Sequence, residues 1–254
     1  MLPFLIAGLA GGFLSGLFGV GGGLVMVPLL MWLAKVDQRK ASATSLIAVI
    51  PAAITGAIGY GLGGRINFTI AAIMGVGAIV GAPIGTWLLR TLSLGWLRWL
   101  LIGMIVLSAI RMLTLIPSRE DALTFTQEHY FYLVLIGLVM GVASGLFGIG
   151  GGIIIVPIMM AFFGVSDLTA KGTSLVAMIP GAIVGTYTNL RSGIVKVKEG
   201  LTVGFAAVVA SYAGVSLAFL LPAHAASLIF GIFLLLLAAR LTQQHLTAQR
   251  AAKK

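Results

Sequence analysis

The sequence predicts an all-α polytopic membrane protein of two inverted-topology repeats, each with a Gly-broken re-entrant hairpin plus about three spanning helices. Three observations predict it. Of 254 residues, 59% are hydrophobic and only 9% charged, against roughly 25% charged in soluble domains. Apolar runs near 2–34, 43–62, 68–89, 95–115, 130–163, 173–190, 200–220 and 223–240 are mostly long enough to cross about 30 Å of hydrocarbon at roughly 20 residues each. Sliding the chain against itself by 129 residues aligns 15–64 with 144–193 without a gap, and 23 of those 50 positions are identical. The runs are apolar on every face, which excludes the alternating pattern of a β-barrel.

Taken in order, the first run resembles a signal peptide but lacks a basic start, and its near-copy recurs at mid-chain, so it reads as mature protein. Gly19, Gly21, Gly22 and Gly23 interrupt it, each costing about 1 kcal/mol against Ala inside a helix. After that break only residues 24–34 remain, about 16 Å of helix, which suits one arm of a re-entrant hairpin. Thr44 and Ser45 are expected to open the next helix, with Pro51 kinking it. Two further spans complete a first repeat over 1–116. Residues 117–129 form an extracytoplasmic linker, 130–241 the second repeat and 242–254 a polar cytoplasmic tail. The second repeat carries the matching Gly148, Gly150, Gly151 and Gly152, then Thr173, Ser174 and Pro180.

Loop charges set the orientation. The loop at 35–40 holds three Lys/Arg and its mate at 164–171 holds one; the loop with Arg65 holds one and its mate at 191–198 holds three. An inverted arrangement divides the 16 basic residues 12 to 4 and a parallel one 10 to 6, so the positive-inside rule favours inverted repeats with both termini cytoplasmic.

The net charge of +10 follows the same rule. Basic residues lie between apolar runs and form no continuous patch, so no nucleic-acid partner is expected. There is no Cys, hence no disulfide, thiolate metal site or Cys nucleophile. Enzyme chemistry is poorly served: Asp37, Glu120, Asp121, Glu128, Asp167 and Glu199 all fall in or beside loops, leaving no intramembrane carboxylate for acid–base work, a metal or a proton relay. His129, His224 and His245 sit at segment ends. GVGGG and GIGGG lack the Lys-Ser/Thr and the βαβ setting of a phosphate loop. Neither cofactor nor metal is expected.

Function is therefore sought at the breaks. Non-helical backbone at membrane depth persists only where protein or a watery cavity surrounds it, and transporters built from inverted repeats hold substrate at half-helix ends near the midplane. Gly19, Gly21, Gly22, Gly23, Gly148, Gly150, Gly151 and Gly152 are candidate anion donors through their N–H groups, and the hydroxyls of Thr44, Ser45, Thr173 and Ser174 are candidates beside them. The other reading is close packing by the glycines and simple helix capping by the hydroxyls. Lys171 reads as a snorkelling loop residue or as a collector of anions.

The duplicated GLFGxGGGxxxxP followed by TSLxAxxPxxxxG resembles the sulfite exporter TauE/SafE family of membrane permeases, in both halves and over essentially the whole chain. The resemblance implies transport of sulfite, small organosulfonates or related anions across a bacterial inner membrane. It carries onto Gly19, Gly21 to Gly23, Pro28, Thr44, Ser45 and Pro51, with their mates Gly148, Gly150 to Gly152, Pro157, Thr173, Ser174 and Pro180. The second half departs at Tyr187, Thr188 and Asn189, where the first has Ile58, Gly59 and Tyr60; Tyr187 and Asn189 are further substrate-binding candidates, or else face a loop. The partners expected are a small anion and the lipid bilayer, with homo-oligomerisation left open. The function expected is secondary transport by alternating access; the rival is a non-transporting scaffold or assembly factor. Without an intramembrane carboxylate, export of a monoanion would run on the membrane voltage, about 2.3 kcal/mol per 100 mV, with Na⁺ on unwound carbonyls as the alternative driver.

Overall fold

The computed structural model describes residues 1–114 and 127–251, so the linker up to residue 126 and the last three residues of the tail lie outside the described residues. Among the described residues ten helices follow one another: α1 (Leu2–Phe18), α2 (Gly23–Leu33), α3 (Gln38–Leu62), α4 (Phe68–Thr91), α5 (Leu94–Thr114), α6 (Gln127–Phe147), α7 (Gly152–Phe163), α8 (Asp167–Arg191), α9 (Val197–Leu220) and α10 (Ala223–Ala251). Among the described residues there is no strand. Seven of these helices among the described residues, α3 to α6 and α8 to α10, are long and apolar enough to cross a membrane. This is a multi-pass membrane protein. The count departs from three spans per repeat, because α6 reaches spanning length whereas its mate α1 stops at 17 residues.

The breaks fall where the glycines are. α1 ends on Gly19 at φ 68, and α2 starts after Gly22 at φ 72; the mates Gly148 and Gly151 stand at φ 69 and 88. Left-handed backbone of this kind costs other L-residues roughly 1–2 kcal/mol. The helices after the breaks start earlier than expected. Thr44 and Thr173 do not open α3 and α8 but lie six residues inside them. The caps are Asp37, which accepts from Lys40 N, and Ser166, which accepts from Thr169 N. Both are ordinary cap residues, and they draw the polar residues that follow into the helix.

Packing crosses between the halves. Gly8, Gly12 and Gly16 of α1 lie on the backbone of Val203, Ala207 and Ser211 in α9, and Gly137, Gly141 and Gly145 of α6 lie on Met74, Ala78 and Ala82 in α4. Residue numbers rise together in both pairs, so each pair is parallel. Glycine every fourth residue lets backbones touch, which substitutes dispersion for the missing hydrophobic drive between helices in lipid.

Polar contacts fix which ends share a face. On one, Lys40 pairs with Glu199 at 2.8 Å, Arg39 donates to Leu92 O at 2.7 Å, Arg90 bonds Ser192, and Trp99 meets His245 edge-on at 5.3 Å. On the other, Thr173 Oγ1 accepts from Asn67 N at 2.9 Å and Tyr60 meets Phe219 at 5.6 Å. α3 therefore begins on the first face and α8 ends there. These repeat-mates run in opposite directions.

Candidate transport site

The two hairpins enter from opposite faces. α1 runs inward beside α9 from the first face, where Met1 Sδ meets Thr202 Oγ1 at 3.9 Å, and α2 returns there, placing Trp32 under Arg240 at 5.8 Å. α6 and α7 do the same from the second face, where His129 meets Phe163 at 5.6 Å. Their tips meet inside the bundle. A methyl group on Gly21 would stand 2.7 Å from Ile149 O and 3.5 Å from Gly150 Cα; one on Gly152 would meet the Gly19 carbonyl and one on Gly23 the Gly148 carbonyl. Val49 of α3 and Met178 of α8, another mated pair, flank Gly150.

Each break is held by a serine of the other half. Ser45 Oγ donates to Gly148 O at 2.8 Å, and Ser174 Oγ donates to Gly19 O at 2.6 Å. Both serines are fully buried, so these bonds satisfy carbonyls that lipid could not. Thr44 is equally buried, yet its Oγ1 has no hydrogen-bond partner among the described residues. Neither Gly22 nor Gly151, the N-caps of α2 and α7, supplies a side-chain cap. Two helix N-termini with their dipoles thus start at the tips, a setting that favours negative charge.

The second-half departures separate. Tyr187 points out of the bundle at 59% exposure, beneath the Arg191 guanidinium. Asn189 is fully buried with both amide atoms unpartnered among the described residues. Its mate Tyr60 reaches Gly16 O at 2.8 Å, a reach that the shorter Asn lacks.

The expectation for Lys171 changes at α8. Asp167 does stand beside a loop, as the first residue of the helix, but it is only 1% exposed, and Lys171, 5% exposed with its Nζ 3.0 Å from Asp167 Oδ2, does not snorkel. A carboxylate does lie within the bundle. The signal was present as Asp and Lys at i, i+4, hidden by a polar stretch that reads as a loop.

Vestibules lie on both faces at repeat-equivalent places. On the first, a cavity of about 450 Å³ is lined by Met31, Gln38, Arg98, Leu101 and Leu241 among others. Their mates Met160, Asp167, Ser227, Phe230 and Met112 line a void of only about 10 Å³ on the second. Phe18 closes that void by stacking on Phe230, with ring centroids 4.0 Å apart. One vestibule is open and its counterpart shut.

The sequence matches the family described as "Sulfite exporter TauE/SafE" over residues 1–112 and 133–254. It is 29% identical to the "Probable membrane transporter protein YdhB" of Bacillus subtilis (strain 168), covering 83% of this chain and 87% of that one. It is 28% identical to YunE of the same organism, another probable membrane transporter protein, over 74% and 78%. A probable membrane transporter protein of Xylella fastidiosa (strain 9a5c) is 31% identical over 72% of each chain. All three are named as membrane transporters, none as an enzyme. No solved structure matches the chain. With both halves matched and the paired breaks in place, the chain belongs to the sulfite exporter TauE/SafE family.

Proposed function

We propose that this protein is a secondary transporter, acting as an exporter, of a small anion of oxidised sulfur, sulfite or an organosulfonate, across a bacterial inner membrane. The halves act as inverted repeats about an axis in the membrane plane, with the first face and both termini cytoplasmic, and the anion passes between the paired breaks by alternating access. The observation that carries this reading is the pair of repeat-equivalent vestibules, about 450 Å³ on one face and about 10 Å³ on the other, on either side of a contact between two helix breaks. Inverted repeats exchange such conformations by rocking about a fixed site. The site consists of N–H groups around Gly21 to Gly23 and Gly150 to Gly152, the Thr44 hydroxyl and the Asn189 amide, with Thr173 beside them and Ser45 and Ser174 holding the breaks. Buried polar atoms without partners are rare and call for a ligand, ion or water, and Thr44 and Asn189 supply three. Arg98 and Lys35 in the open vestibule attract anions toward it.

Purified protein in liposomes, offered sulfite, sulfate, methanesulfonate and acetate in turn, tests the reading. Saturable flux of the first or third above protein-free vesicles is expected. Absence of flux for all four would leave the scaffold role.

A further inference from the structure

The open vestibule carries cations that the fold does not require. Arg98, in the second turn of α5, is half-buried in its wall, and its Nε is shut off from water without a hydrogen-bond partner. The neighbouring arginines of the first face are engaged: Arg39 donates to Leu92 O, Arg90 bonds Ser192, Arg191 lies over Tyr187 and Arg240 over Trp32. Among the described residues nothing bonds or pairs with Arg98. A buried polar atom left in this way calls for a ligand, ion or water. Asp37 is the carboxylate on the same wall, and it accepts from Lys40 N as the cap of α3. Gln38 Nε2 donates to Leu97 O at 3.2 Å, which fixes the start of α3 against α5 one residue before Arg98.

The duplication supplies a control. Lys35, also on the wall of the open vestibule, stands at φ 53; among the described residues it is the non-glycine in the left-handed region, and its mate Gly164 takes φ 61. Glycine adopts that conformation freely, whereas a β-carbon is strained there. Both positions follow a re-entrant arm, α2 or α7, so the turn does not need the lysine. Strained residues that persist cluster at functional sites. The mate of Arg98 is Ser227, at the same turn of α10, and it lines the shut vestibule. At both positions the first face has a cation where the second has a neutral residue. The charged residues lining the second vestibule, Asp167 and Lys171, are of opposite sign.

We propose that Arg98, with Lys35 at its rim, is the loading subsite of the transporter: the guanidinium grips an oxyanion in the first-face vestibule through two parallel N–H···O bonds before the anion passes to the paired breaks. This rests on the anion-transport reading and deepens it by naming the group that selects the cargo. A planar fork of donors matches two oxygens of one sulfur at once, which sulfite and sulfonates offer and a halide does not. The cavity of about 450 Å³ leaves room for water around the anion, at about 30 Å³ per molecule, so the subsite captures it without stripping the whole hydration shell. On the second face the neutral mates Gly164 and Ser227 hold the anion less, which fits loading at the first face and release at the second, the direction of export. A guanidinium keeps its charge throughout the working pH range, so capture by Arg98 takes up no proton.

The test is calorimetric titration of the full-length protein in detergent with methanesulfonate and with sulfite, at fixed ionic strength so that screening stays constant. Arg98→Ser, which installs the residue of the second repeat, should keep its melting temperature and bind either anion that wild type binds at least about ten-fold more weakly. Arg98→Lys keeps the charge and loses the fork, and should bind about three-fold more weakly or worse; affinity equal to wild type would mean diffuse attraction and overturn the subsite. Lys35→Gly should melt at or above the wild-type temperature, its strain relieved, while affinity falls about three-fold; unchanged affinity there would strike Lys35 from the subsite. Unchanged affinity in Arg98→Ser overturns the proposal while leaving anion transport standing. A short-chain phosphatidylglycerol, titrated alongside, carries the same oxyanion chemistry; if Arg98→Ser weakened the lipid and neither free anion, the subsite would belong to lipid and the proposal would fall. If wild type binds neither anion, the functional reading falls as well.

Discussion

Ser174 donates its hydroxyl to the carbonyl of Gly19 at 2.6 Å, across 155 residues of chain. Its mate Ser45 does the same to Gly148 at 2.8 Å, so each half of the duplication fastens the broken helix of the other. Ser45→Ala and Ser174→Ala should each lower stability by about 1–3 kcal/mol, because a buried carbonyl loses its donor. The two losses should not simply add, since the two bonds fasten hairpin tips that touch one another and contacting sites couple. Thermal unfolding in detergent checks this; melting temperatures equal to wild type would reduce both bonds to incidental contacts.

Thr44 and Thr173 are mates in unlike settings, and matched valine substitutions should separate binding from stability. Thr44→Val removes a buried hydroxyl that has no partner, so stability should hold or rise by about 1 kcal/mol, while anion affinity falls about ten-fold or more. Thr173→Val removes the acceptor of Asn67 N and should cost about 1 kcal/mol. Paired unfolding and binding measurements decide, and wild-type affinity in Thr44→Val would take that residue out of the site.

The spans, the duplication and the breaks were legible because each is written in one dimension: apolar length, a fixed offset of 129, and clustered glycine. What needed the third dimension was not. α3 and α8 begin six residues before their Thr-Ser pairs, since a polar first turn in a membrane helix resembles the loop before it. Tyr187 and Asn189 sit two residues apart and face opposite ways, a distinction that apolar periodicity cannot make in helices buried by lipid and protein alike. The cross-repeat bonds of Ser45 and Ser174 follow from two hairpins meeting tip to tip, which no local pattern announces. The Asp167–Lys171 pair had a local signal in its spacing, obscured by reading the segment as a loop.

The shared first face can be examined directly, because the chain has no Cys to interfere. Arg39 and Lys196 lie in opposite repeats yet flank the Lys40–Glu199 pair, whereas His224 begins α10 beside the second face. With the first face cytoplasmic, Arg39→Cys and Lys196→Cys should resist an impermeant thiol reagent applied outside intact cells and His224→Cys should react. Labelling of either of the first two from outside would invert the orientation or break the repeat relation.

Reciprocal opening of the two vestibules is the central claim, and the stacked pair Phe18 and Phe230, 4.0 Å between ring centroids, offers the most direct handle on it. A Phe18→Cys/Phe230→Cys protein, reconstituted in liposomes and bridged by a short, reducible bifunctional thiol reagent, should lose sulfite or methanesulfonate flux to background and regain it when the bridge is reduced, with each single variant unaffected by the reagent. Flux that continues at the unbridged rate would mean that the anion does not pass by opening this vestibule, and would contradict the account.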